Sequence, residues 1–147
     1  MRLPSIALVT PASAADNNGN WQTADRWARF LRGDYAVRLT RRWTGSDERL
    51  MIALHARRSA DSILAWRTAH PNRPLLLVLT GTDLYRDIAD DAAAQRSLQL
   101  ADRLVVLNEL GLAQLPGPLR AKGRVCLQSS PSRRARTKTT RHLRAVM

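Results

Sequence analysis

The sequence predicts an α/β domain, a three-layer sandwich around a parallel sheet of about six strands. Three observations lead there. Short aliphatic runs alternate with amphipathic stretches, which is the pattern of repeated β-α units. The runs are nearly continuous apolar residues rather than alternating ones, so helices should cover both faces of the sheet. At 147 residues and 44% hydrophobic, the chain has material for one domain with one core and is too apolar to be mostly disordered.

Ile6 to Thr10 reads as a buried first strand. Arg2, Ile6 to Val9 and Ala12-Ser13-Ala14-Ala15 imitate a signal peptide, but that apolar core is too short and follows Pro4. After an Asn-Gly turn, Ala24, Trp27, Ala28 and Leu31 form one stripe of a helix, and Gly33 stands where a C-cap belongs. Tyr35 to Thr40 and Leu50 to Leu54 are the next two strands. Ser59 is placed to cap the following helix, with Asp61 in its first turn; Ala60, Ile63 and Leu64 should face inward, and His70-Pro71 should stop it. The fourth strand, Leu75 to Thr80, holds the longest aliphatic run, five residues against the roughly 20 that span a bilayer. Asp90-Asp91 opens a helix through Ala94, Leu98 and Ala101. Leu104 to Leu107 and Val125 to Gln128 complete the set. The one cysteine, Cys126, reads as a small buried residue of the sixth strand, and a reducing cytoplasm is the default compartment.

Residues 1-130 therefore form the domain. Ser129-Ser130-Pro131-Ser132 and the basic run after it start a linker, 131-147, which turns apolar again at Leu143-Arg144-Ala145-Val146-Met147, as though a further strand began there. The formal charge of +12 is uneven. Residues 1-109 hold 15 arginines and all 12 acids, whereas 110-147 hold nine basic residues and no acid. A tail so composed can hold nucleic acid by counterion release, but it has no aromatic residue to stack bases, which argues against that partner. The plainer readings are a solvated linker or one face of an anion site.

In an open parallel sheet, ligands bind beyond the carboxyl ends of the strands, so the residues after each strand carry the chemistry. After the first comes Asp16-Asn17-Asn18-Gly19-Asn20. Gly19 permits a positive φ, and the N–H groups from Trp21 to Thr23 can cradle an anion; alternatively, Asn20 and Thr23 are only capping residues. After the third comes His55-Ala56-Arg57-Arg58-Ser59, an imidazole and two guanidinium groups suited to phosphate oxygens, or simply a strand cap and two solvated arginines. After the fourth comes Thr80-Gly81-Thr82-Asp83-Leu84-Tyr85-Arg86-Asp87, with more functional groups than a plain turn needs. Asn108-Glu109 and Gln128-Ser129-Ser130 complete a polar rim. Dinucleotide, phosphate-loop, zinc-protease and nucleophile-elbow motifs are missing from the sequence, as are paired cysteines.

The stretches 17-24 (Asn-Asn-Gly-Asn-Trp-Gln-Thr-Ala), 50-59 and 79-87, with Thr80-Gly81-Thr82-Asp83-Leu84-Tyr85 the most specific, closely resemble the N-terminal half of bacterial GT-B glycosyltransferases. Within them the chain is similar to the selenosugar synthases of selenoneine biosynthesis, over essentially all its length. The resemblance implies a Rossmann-like acceptor-side domain facing a second, nucleotide-sugar-binding domain. It further implies transfer of a sugar from a UDP-sugar, such as UDP-N-acetylglucosamine, to the selenium of selenophosphate, with no metal or other cofactor. On that reading the chain stops where the second domain should begin, and alone it should not turn over. His55 or Asp83 would orient the donor sugar or assist loss of phosphate. The helix start at Asn18, Gly19, Asn20 and Thr23 would cradle the anion with Arg57, Arg58 or Arg86, while Thr80, Gly81, Thr82, Tyr85 and Asn108 would line the substrate cleft. The competing class is a stand-alone α/β module that binds an anion or nucleotide without chemistry.

Overall fold

The computed structural model describes residues 3–129 and 132. Six parallel strands form one sheet in the order β2-β1-β3-β4-β5-β6: β1 Ser5–Val9, β2 Ala36–Thr40, β3 Leu50–Leu54, β4 Leu75–Leu79, β5 Arg103–Val106 and β6 Gly123–Val125. All six lie within a few residues of expectation. The sixth is the exception in character: it ends at Val125, and Cys126 lies beyond it, exposed rather than buried. Its N–H still bonds Val106 O at 2.9 Å, so the backbone continues along the sheet edge while the thiol faces outward. Apart from Ser132, the linker lies outside the described residues, as does the strand expected at Leu143 to Met147.

Alternation along the strands sorts the core into two layers. Ala7, Val9, Met51, Ala53, Leu75, Leu77, Leu79, Leu104 and Val106 face one side, and α2 (Ala60–Ala69) and α4 (Ala92–Leu100) cover them. On the other side Ile6, Leu8, Ile52, Leu54, Val78 and Val105 meet α1 (Gly19–Leu31) through Ala24 and Ala28. Beyond α1 this second layer is thin: an apolar groove of about 390 Å³ runs past Phe30, Ile52, Leu76, Val105 and Leu127. Among the described residues no helix is long and apolar enough to cross a membrane.

Three local expectations are corrected. Gly33 is not a left-handed cap; Arg32 caps α1 in right-handed geometry, its N–H on Ala28 O. Ser59 stands at the start of α2 but its hydroxyl donates to Leu54 O at 2.6 Å, tying the helix back to β3 instead of capping it. Leu64 is exposed, because the helix turns Ser62, Ile63 and Trp66 inward. Trp66 is the larger apolar residue, and it packs edge-on against Trp43 with centroids 5.3 Å apart. By contrast Asp91 caps α4 as its sequence suggests, accepting from Ala94 N–H at 2.8 Å.

The chain turns from β5 into α5 (Gly111–Gln114) across a tight contact. A Cβ on Gly111 would lie 2.8 Å from Val106 Cβ and 3.2 Å from Leu84, with no room for it to relax. Gly111→Ala is therefore expected to destabilise the fold by about 1–3 kcal/mol. A fall in the urea midpoint at unchanged slope checks this.

Candidate functional site

The strands are parallel, so the loops after all of them gather on one edge. The centre of that edge is a carboxylate. Asp83, in a π-helical turn spanning Asp83–Asp87, is fully buried. Its Oδ1 accepts from Thr80 N–H and Gly81 N–H, both at 3.0 Å, and its Oδ2 accepts from Ala56 N–H at 2.9 Å. One side chain thus joins the turn after β4 to the turn after β3. Gly81 has φ 144°, a conformation that L residues rarely adopt, which lets its N–H point back at Asp83.

The clamp fixes His55, which is 1% exposed and left-handed at φ 72°. Such backbone persists only where the surroundings over-determine it. Here His55 N–H donates to Val78 O at 2.9 Å, and His55 O accepts from Ser59 N–H at 3.1 Å. The ring is set by two further bonds. Nδ1 accepts from Arg58 N–H at 3.3 Å, which leaves the proton of a neutral ring on Nε2, 3.2 Å from Thr82 Oγ1. Burial favours that neutral ring and lowers the pKa below its ordinary 6.5, against the pull of the Asp83 carboxylate. His55 therefore donates to Thr82, and the exposed Thr82 hydroxyl keeps its own proton for an outside acceptor.

Asp87 lies 3.9 Å from His55 Nε2 and takes Arg57 Nε at 3.0 Å and Arg86 Nε at 3.2 Å. Burial pushes its carboxyl up, but the two guanidinium groups outweigh this and hold it below the usual range. Tyr85 and Asn108 form a second link: Asn108 Nδ2 donates to the Tyr85 hydroxyl at 3.1 Å, and Asn108 Oδ1 accepts from Gly111 N–H at 2.9 Å. The structure thus brings His55, Thr80, Gly81, Thr82, Asp83, Tyr85, Arg57, Arg86 and Asn108 into one continuous rim.

The β1–α1 turn occupies the same edge, with β3 between it and β4. Among the described residues no hydrogen bond joins it to that rim. Its details differ from expectation. The left-handed residue is Asn17 at φ 41°, not Gly19, which begins the helix. The cap is Asn18, not Asn20. Asn18 Oδ1 takes Trp21 N–H at 3.1 Å and its carbonyl takes Gln22 N–H at 3.0 Å, so most of the expected N–H cradle is used within the helix start. Thr23 is buried and receives Gln128 Nε2 at 3.0 Å, anchoring the segment after β6. Asn20 Oδ1 is buried without a partner among the described residues.

Nor do the three expected arginines act together. Arg57 and Arg86 converge on Asp87, while Arg58 turns to a crevice of about 490 Å³ that it lines with Pro11, Arg41 and Arg42. Sequence reasoning missed Arg41 and Arg42. They directly follow the second strand, and the rule that drew attention to the ends of the other strands would have found them.

Asp83→Asn puts an amide N–H₂ against a backbone N–H, and a loss of about 2–3 kcal/mol is expected from urea titration, with Asp83→Glu no better because an extra methylene at a fully buried position displaces the carboxylate from its three backbone donors. Stability is also expected to fall as pH drops below 6.5. In that window the unfolded chain binds a proton on His55 that the native ring rejects, so the unfolded state holds more protons. Midpoints measured from pH 7.5 to 5.5 should flatten in His55→Gln; an unchanged slope would contradict the assignment. In comparison with known proteins, no family model matches this chain, and a search of curated proteins returns no match.

Proposed function

We propose that the domain is the acceptor-side half of a GT-B glycosyltransferase that moves a sugar from a UDP-sugar, such as UDP-N-acetylglucosamine, to the selenium of selenophosphate. One observation carries the reading. Two of the three stretches that bear the resemblance, 50-59 and 79-87, meet through Asp83 and the His55–Thr82 bond at the carboxyl edge of the sheet, the edge where open α/β domains bind ligands.

In the transfer, selenium forms a bond to the anomeric carbon while the bond from that carbon to the UDP oxygen breaks, and UDP leaves with the electron pair. Water then attacks phosphorus, the P–Se bond breaks, and phosphate departs from the selenosugar. Selenium is nucleophilic enough to need no strong base, which suits a rim toward which the buried imidazole presents Nε2–H, a donor. His55 Nε2–H fixes the Thr82 oxygen, leaving the Thr82 proton to hold an oxygen of the bound substrate. Asp83 acts as a positioning residue, since both its oxygens are committed to backbone. The second domain would stabilise the charge on departing UDP.

The alternative, a binding module without chemistry, is favoured by the arginine-lined crevice. Mass spectrometry separates the two. Selenophosphate and a panel of UDP-sugars are incubated with this chain, and with a polypeptide that continues into a nucleotide-sugar domain. Selenosugar is expected from the longer polypeptide alone, and Thr82→Val should lower its turnover by about 100-fold, the worth of one preorganised donor. Ligand binding by both with product from neither would replace the proposal with the module.

A further inference from the structure

The strand order 2-1-3 makes the gap between β1 and β3 the point where the chain reverses its direction of travel across the sheet. Helices leave on opposite faces there, so a crevice opens at the carboxyl edge. In this protein the loops after β1, β2 and β3 line it with Pro11, Arg41 with Arg42, and Arg58. These groups are not equivalent. Arg42 is paired with Asp61 at 2.9 Å. Arg41 and Arg58 have no side-chain hydrogen bond or ion pair among the described residues, and residues 1-2 and 130-147 contain no Asp or Glu side chain to neutralise them.

Thr10, which precedes the crevice residue Pro11 and is 1% exposed, has a buried hydroxyl without a partner among the described residues. Asp16, in the β1 loop, is bonded to Ser13 N–H and Ser13 Oγ, and it is held below the usual carboxyl range by those bonds first and by the charge of Arg41 as well. The field of Arg41 thus reaches the loop after β1, while Asp16 itself is committed to Ser13.

We propose that this crevice is a binding site for a phosphoryl dianion, gripped by Arg41 and Arg58 from opposite sides of β1. Guanidinium groups suit it because each presents a planar fork of donors to two oxygens and cannot be deprotonated. The site is separate from the His55–Thr82 rim, where Arg57 and Arg86 are already spent on Asp87. It stands whether or not the domain transfers sugar. Arg42, held by Asp61, is a third cation kept in reserve.

Titration of the ¹⁵N-labelled whole chain with inorganic phosphate, and separately with UDP, tests it by NMR. Saturable amide shifts are expected at Thr10, Ala12, Arg41, Arg42 and Arg58. Arg41→Gln and Arg58→Gln should each weaken phosphate binding at least tenfold, and Asp61→Asn, which frees Arg42, should strengthen it two- to threefold. Arg103→Gln, at the opposite edge of the sheet, should leave it unchanged. Tighter binding of UDP through the same arginines assigns the phosphoryl group to a nucleotide, whereas equal or weaker binding assigns it to a free phosphate or selenophosphate; both support the site. Shifts confined to residues 130-147, or affinity unchanged in both arginine variants, would overturn it.

Discussion

One buried carboxylate organises the functional edge of this domain. Asp83 takes backbone N–H groups from two different loops, and no other described side chain bridges the turns after β3 and β4 in this way. Because those donors are backbone, the clamp dictates loop shape rather than side-chain contact. It sets the left-handed turn at His55, and that turn brings the imidazole to Thr82. Charge-assisted bonds in a dry setting are strong enough to hold one strained residue and one glycine at φ 144°.

The second constraint is how few acids stand among many arginines. Along the rim Asp87 absorbs Arg57 and Arg86, and at the crevice Asp61 absorbs Arg42. Arg41 and Arg58 are what remain, and they flank the point where the sheet reverses its winding. Two guanidinium groups without an acidic partner among the described residues raise the local positive potential at that crevice, and the proposed dianion site rests on this.

The architecture was legible because strand runs such as Leu75 to Leu79 are buried on both faces and leave no other place to lie. The carboxyl-edge rule likewise found His55 and the Thr80 to Asp87 cluster. What could not be read was how each polar group spends its valence. Ser59 could cap a helix or reach back to Leu54; Arg58 could join Arg57 or turn away; only the packing of α2 against β3 decides. Asn17 taking the left-handed position ahead of Gly19 is of the same kind, since Asn tolerates that region and the helix start needed Asn18 as its cap. The inward turn of Trp66 at the expense of Leu64 follows from the Trp43 it meets across the sheet edge, a contact with no local sequence signal.

The tautomer of His55 reports most directly on whether the Asp83 clamp builds the rim in this way. A long-range ¹H–¹⁵N correlation spectrum of the imidazole at neutral pH is predicted to show a neutral ring carrying its proton on Nε2, toward Thr82, in the native protein. A ring protonated on Nδ1, or an imidazolium at pH 7, would mean that Arg58 N–H does not hold Nδ1 and that Thr82 is not the partner, and the account of the site would fail with it.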